Sequence, residues 1–176
     1  NGCSVADAPA ATTVAQLEAL PGNVVINDAF TPKALLTVTH SDVVTGSCPI
    51  AITRTYTVTD ACSNSVNITQ NINVQDVTSP VIAGSLSPVT LSGCSAANAP
   101  PAVTTVAALE ALAGGVSISD NCTPDASLTV TSSDVSSGTC IVTITRTYTI
   151  KDACNNSATL VQTITVQDNV APTWTT

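Results

Sequence analysis

From Ile50 to Thr59 apolar and polar residues alternate one for one. Ile50, Ile52, Arg54, Tyr56 and Val58 fall on one side of an extended chain, and Ala51, Thr53, Thr55, Thr57 and Thr59 on the other. A period of two marks a half-buried β-strand. "CIVTITRTYTIKD", from Cys140, repeats the pattern with Arg146 and Tyr148 at the places of Arg54 and Tyr56. "GVSISD", "SLTVTSSD" and "ATLVQTITVQD" read as further strands, with a turn at Asn155, Asn156 and Ser157. Residues 104–114, "TTVAALEALAG", instead space their apolar side chains as a helix does and end at glycine, which predicts a short helix in one connection. Many short strands separated by Gly, Pro and Asn turns, with no alternation of strands and long helices, predict an all-β fold of antiparallel sandwich type.

The chain is one unit written twice. "LLTVTHSDVVTGSCPIAITRTYTVTDACSNS", from Leu35, matches "SLTVTSSDVSSGTCIVTITRTYTIKDACNNS", from Ser127, at an offset of 92. The same offset carries Leu17 to Leu109 and Asp76 to Asp168, while Cys3 meets Cys94 one residue short, which places an insertion near Pro101. Such a period fits a whole sandwich domain of about 100 residues. The expected division is residues 1–78 as repeat 1, 79–168 as repeat 2, and 169–176 as a linker and the start of a further repeat. "SPVIAGSLSPVTLSG" before Cys94 supplies a first strand to repeat 2, and nothing comparable precedes Cys3. The chain thus reads as a mature fragment cut out of register from a longer array. Strand donation in a head-to-tail polymer would complete repeat 1, although the tail "APTWTT" resembles only "SPVIAG".

Composition narrows the function. Charged residues are 9% and net charge is −8, with Lys33, Arg54, Arg146 and Lys151 the only cations besides the amino terminus. Reading phosphates needs clustered cations, so nucleic-acid partners are excluded, and an anionic membrane is a poor surface for this chain. No apolar run reaches the roughly 18 residues of a spanning helix, so no membrane insertion is expected.

Seven cysteines, no Cys-x-x-Cys pair and a single histidine, His40, leave no zinc-site spacing. Widely spaced cysteines in a Lys-poor chain point to disulfides and an oxidising compartment. Strand direction selects the pairing. In repeat 2, Cys94 and Cys140 come to one end of the sandwich and Cys122 and Cys154 to the other, which predicts Cys94–Cys140 and Cys122–Cys154. In repeat 1, Cys3–Cys48 remains, and Phe30 replaces the partner of Cys62. Cys62 is therefore expected as a free thiol buried behind the Phe30 ring, with an intermolecular cross-link as the other reading. Each bridge contributes about 2–4 kcal/mol by restraining the unfolded chain.

Arg54 and Arg146 fall on the apolar strand face beside Tyr56 and Tyr148, so all four are expected to be buried and structural. Each guanidinium then needs an Asp of its own repeat; a ligand-reading cation is the alternative. The threonine stripe reads as an ordinary solvated face, with an ice- or sugar-binding surface as its alternative. Asp28, Asp60 and Asp76, with Asp120, Asp152 and Asp168, gather at strand ends, and structural calcium at Asp76 and Asp168 is the one cofactor considered. Asn67, Asn121 and Asn155 open N-glycosylation triplets. His40 has Ser132 as its counterpart, and no nucleophile, base and orienting group come together in any motif. The chain is not expected to be an enzyme.

"TITRTYTIKDACNNSATLVQTITVQDNVAPTW" with the upstream "SDNCTP" resembles the HYR-like immunoglobulin-type repeats of Bacteroidota surface proteins, among them gliding-motility and attachment adhesins. The resemblance spans both repeats, and repeat 1 departs from it at Phe30. It implies two tandem immunoglobulin-like sandwiches, each with a short helix in one connection, joined near residues 77–80. It also implies export to the cell surface through the type IX route. The expected role is a stalk or spacer whose partners are neighbouring repeats. A module that binds polysaccharide or a cell surface, and a self-assembling filament subunit, are the alternatives.

Overall fold

A computed structural model describes residues 1–174. Strand takes 40% of the chain and helix 13%, and the chain separates into two compact units, Asn1–Asp76 and Val77 onward.

The first unit holds α1 (Val14–Glu18), β1 (Thr37–Thr45), β2 (Ile50–Thr59) and β3 (Ser65–Val74). β2 lies between β1 and β3 and pairs antiparallel with both. Its alternation does what the sequence requires: Ile52, Arg54, Tyr56 and Val58 are buried, while the threonines between them are exposed or half-exposed. α1 is short because its chain turns away after Glu18. It is held by a Thr13 cap, whose hydroxyl accepts the Gln16 N–H at 3.3 Å, and by burial of Val14 and Leu17. Five residues are too few for a helix to stand on propensity alone, so the packing of those two side chains sustains it.

The second unit holds β4 (Val81–Ala83), β5 (Val89–Ser92), α2 (Val106–Glu110), β6 (Ser117–Ser119), β7 (Thr129–Ser137), β8 (Ile141–Lys151) and β9 (Ser157–Gln167). β7, β8 and β9 reproduce the sheet of the first unit. β4 pairs antiparallel with β6, and β5 lies on the outer edge of β9. The β5–β9 pair is parallel, Val89 facing Ile164 and Leu91 facing Val166, a departure from the all-antiparallel expectation. It arises because residues 84–88 carry the chain from the β6 edge to the β9 edge. Gly84, at φ +82°, makes that crossing, with the Gly115 carbonyl where a side chain would sit. α2 spans five residues rather than the eleven expected, since Leu112 N–H closes onto the Leu109 carbonyl at 3.1 Å and Gly114 follows in a left-handed conformation.

The second unit buries two apolar groups. One centres on Leu86, Leu109, Ile118, Tyr148 and Ile150. The other is formed by Val142, Ile144, Ile164 and Val166, with Val89 and Leu91 of β5 packed on it. The first unit repeats the former with Leu17, Ile26, Tyr56 and Val58.

Candidate functional site

The cationic residues of the strands come first, because a guanidinium on an apolar face must be matched or expelled. Arg54 lies opposite Asp42 in the β1–β2 register, and Arg146 opposite Asp134 in β7–β8. In each pair Nε–H donates to Oδ1 and an Nη2–H to Oδ2, all four contacts at 2.8 Å. Both arginines are buried. The hydrogen-bonded guanidinium holds each aspartate below the usual carboxylate range, and the aspartate raises each arginine further. The two clasps differ at the third nitrogen. Arg146 Nη1 donates to the Pro100 carbonyl at 2.9 Å, whereas Arg54 Nη1 is buried without a hydrogen-bond partner among the described residues. Instead, the Arg54 guanidinium carbon lies 6.0 Å from the centre of the Tyr56 ring.

The "DAC-N" motifs are loop closures. Asp60 Oδ1 accepts N–H groups of Cys62 and Asn64, both at 2.8 Å, and its Oδ2 accepts the Asn64 amide at 2.8 Å. Asp152 does the same with Cys154 and Asn156. Asp28 Oδ1 gathers the Phe30 and Thr31 N–H groups, and Asp120 Oδ1 those of Cys122 and Thr123. Sequence reasoning missed one further clasp: Glu18 accepts the Ile26 N–H and Glu110 the Ile118 N–H, each at 2.8 Å, tying the short helix to the segment after it. The signal was present, a helical glutamate eight residues before an isoleucine in both repeats.

Asp76 and Asp168 each follow the last strand of their unit. Asp76 is buried, and Asp168 is exposed with its Oδ1 accepting the Val170 N–H at 2.9 Å. Within the second unit, carboxylate oxygens of Asp120 and Asp152 come within 4.8 Å of each other. His40 is exposed on β1, its ring centre 6.2 Å from that of Tyr56. Two hydroxyls of the threonine stripe are already engaged across the sheet, Thr57 to Asn67 at 2.9 Å and Thr53 to Asn71 at 3.4 Å.

Each unit has a cleft between its helix and the following 3-10 turn, of about 280 Å³ beside α1 and 460 Å³ beside α2. In the first, Lys33 bridges to Glu18 at 2.6 Å. Asp125 stands at the place of Lys33 in the second, so Glu110 has no cation there.

Cys3, Cys48, Cys122 and Cys154 are disulfide-bonded. In the first unit, Gly2 N–H donates to the Gln75 carbonyl at 3.1 Å, beside the Ile50–Val74 pair, which brings Cys3 to the Cys48 end of the sheet. In the second, Ala153 N–H donates to Thr123 Oγ1 at 3.2 Å, which brings Cys122 and Cys154 together. The expected Cys94–Cys140 bond is corrected: both are exposed free thiols. The two units differ here. The Asp7 carboxylate holds the Cys3 and Ser4 N–H groups at 2.7 and 2.8 Å, but Asn98 holds those of Cys94 and Ser95 only at 3.2 Å, as a neutral acceptor does. Residues at the other end differ too, Pro49 against Ile141. A second correction concerns Cys62. It is a free thiol as expected, but exposed, and Phe30 is 96% exposed and covers nothing. The gap that a disulfide spans, about 3.8 Å between β-carbons, does not admit a phenyl ring.

No family model matches the chain, and no curated protein matches it.

Proposed function

We propose that the chain is a non-catalytic spacer: two tandem immunoglobulin-like β-sandwich repeats of an extracellular surface protein, of the HYR-like kind that the sequence resembles. One observation carries the reading. The polar groups that would attract a catalytic interpretation are spent on structural clasps, and each clasp occurs twice at matching positions: Arg54–Asp42 with Arg146–Asp134, Asp60 with Asp152, Glu18 with Glu110. Duplicated active sites would repeat a reactive group; here a scaffold is repeated. The segment in β4 and β5, which contributes to both sheets of one unit, supports the immunoglobulin-like sandwich. Disulfide bonds support an oxidising, extracellular setting, and no helix among the described residues is long and apolar enough to cross a membrane. Export by the type IX route rests on the family resemblance.

The test is a glycan array and a sedimentation run on the purified chain. A spacer gives no saturable glycan binding and a monomer at all concentrations. Saturable binding to one glycan class would replace this reading with a carbohydrate-binding module, and concentration-dependent fibres with a filament subunit.

A further inference from the structure

The cleft beside α2 is shaped for a cation that the second unit does not place in it. The offset of 92 pairs Glu110 with Glu18, Asp125 with Lys33, Ala126 with Ala34 and Leu128 with Leu36, so the clefts of the two units are the same site with one exchanged residue. The glutamates are set alike. Glu18 Oε1 accepts the Ile26 N–H and Glu110 Oε1 the Ile118 N–H, each at 2.8 Å, which fixes both carboxylates at the cleft wall. In the first unit that same Oε1 also accepts Lys33 Nζ at 2.6 Å. In the second, Asp125 replaces the ammonium by a second carboxylate, no cation lines the cleft among the described residues, and the space is about 460 Å³ against about 280 Å³.

The walls select the kind of cation. Val106 and Leu128 are buried, and with Ala107 and Ala126 they give the cleft an apolar lining. A bare metal ion wants several oxygens around it and gains nothing from such walls. An ammonium on an aliphatic stem uses both parts, the stem on the apolar wall and the charge at the carboxylates. Lys33 is such a group, and it already occupies the first cleft. A net charge of −8 adds a long-range pull on a basic partner.

We infer that the cleft beside α2 is a docking site for a lysine side chain of a partner protein. The lysine takes, from another chain, the place that Lys33 takes from its own chain beside α1. Its stem lies on Val106, Ala107 and Leu128, and its Nζ donates to Glu110, with Asp125 as the second negative charge. The first unit does not bind such a partner, because Lys33 fills its cleft. The site lies within one repeat, so the inference stands apart from the spacer reading and its glycan and sedimentation tests.

The experiment titrates the full chain with Nα-acetyl-lysine methylamide and follows backbone amide shifts by NMR, with the norleucine analogue, which has the stem and no ammonium, as control. The expected result is a saturable shift at Ala107, Ile118 and Leu128 with the lysine probe alone. Glu110→Gln, which keeps an oxygen for the Ile118 N–H, is expected to weaken it at least fivefold. Asp125→Lys, which fills the cleft from within, is expected to abolish it, and Lys33→Asp to create a second response at Ala15 and Ile26. Unchanged β8 and β9 amide shifts show that the variants are folded. No response of the unsubstituted chain to the lysine probe overturns the inference. So does an equal response to the norleucine analogue, an undiminished response of Asp125→Lys, or a stronger response to glucosamine, whose ammonium has no stem.

Discussion

Arg54 and Asp42 face each other across β1 and β2 and are joined by two parallel hydrogen bonds of 2.8 Å, with the arginine side chain 3% exposed and the aspartate 16%. A fork-to-fork pair of this kind fixes both side chains and, because the residues are register partners, fixes the strand alignment as well. Removing one partner strands a buried charge. Asp42→Ala is expected to destabilise the first unit by about 3–5 kcal/mol, read from its urea midpoint. Asp134→Ala is expected to cost clearly less, since Asp134 is 40% exposed and Arg146 keeps its bond to the Pro100 carbonyl. Equal losses in the two variants would contradict this ranking.

The same pairs set the response to acid. The Arg54 and Arg146 guanidinium groups lower the pKa values of Asp42 and Asp134. A carboxylate whose folded pKa lies below its unfolded value, about 3.9 for Asp, stabilises the fold fully above that value and loses the contribution as pH falls through the folded pKa. Stability is therefore expected to be flat from pH 7 to about pH 5 and to fall below pH 4. Asp42→Asn is expected to flatten the acid limb of the first unit. Urea midpoints measured between pH 2 and pH 7 check both statements.

Asp152, itself buried, gathers two backbone N–H groups and the Asn156 amide in a half-exposed loop. Asp152→Ala is expected to cost about 2–4 kcal/mol, in keeping with lost hydrogen bonds to a charged acceptor, whereas Asp152→Asn, which keeps one acceptor oxygen, costs less. Asp60→Ala, in a more exposed loop, is expected to have the smaller effect of the two alanine variants. Thermal melts of the three variants give the order.

The thiols can be counted. Cys62, Cys94 and Cys140 are free and exposed, so a thiol reagent applied to the native, unreduced protein is expected to modify three residues, identified by peptide mass mapping. A count of one, at Cys62 alone, would restore the Cys94–Cys140 bridge.

Much of this architecture was legible because it depends on local alternation. The period-two run from Ile50 to Thr59 gave β2 and its buried face, and the offset of 92 carried that reading to β8. The burial of Arg54 followed from its place in the pattern, but its partner did not. Asp42 becomes the partner only through the β1–β2 register, which the sequence does not state. The parallel docking of β5 was hidden for the same reason, since four alternating residues, Val89–Ser92, carry no mark of direction. The cysteine pairing at the Cys94 end failed on a finer scale. Strand direction brings Cys94 and Cys140 to one end, but it says nothing of the turns that carry them, where Asp7 is the acceptor in one repeat and Asn98 in the other. Phe30 was misjudged because an apolar residue was assumed to find cover, and its loop offers none.

Pulling the whole chain from both ends tests the central claim most directly. Two compact, independently cored repeats predict two separate unfolding events in the force–extension trace, each releasing more chain once reductant opens the disulfide bonds. A single event that releases the whole chain at once would show one shared core and contradict the tandem-spacer account.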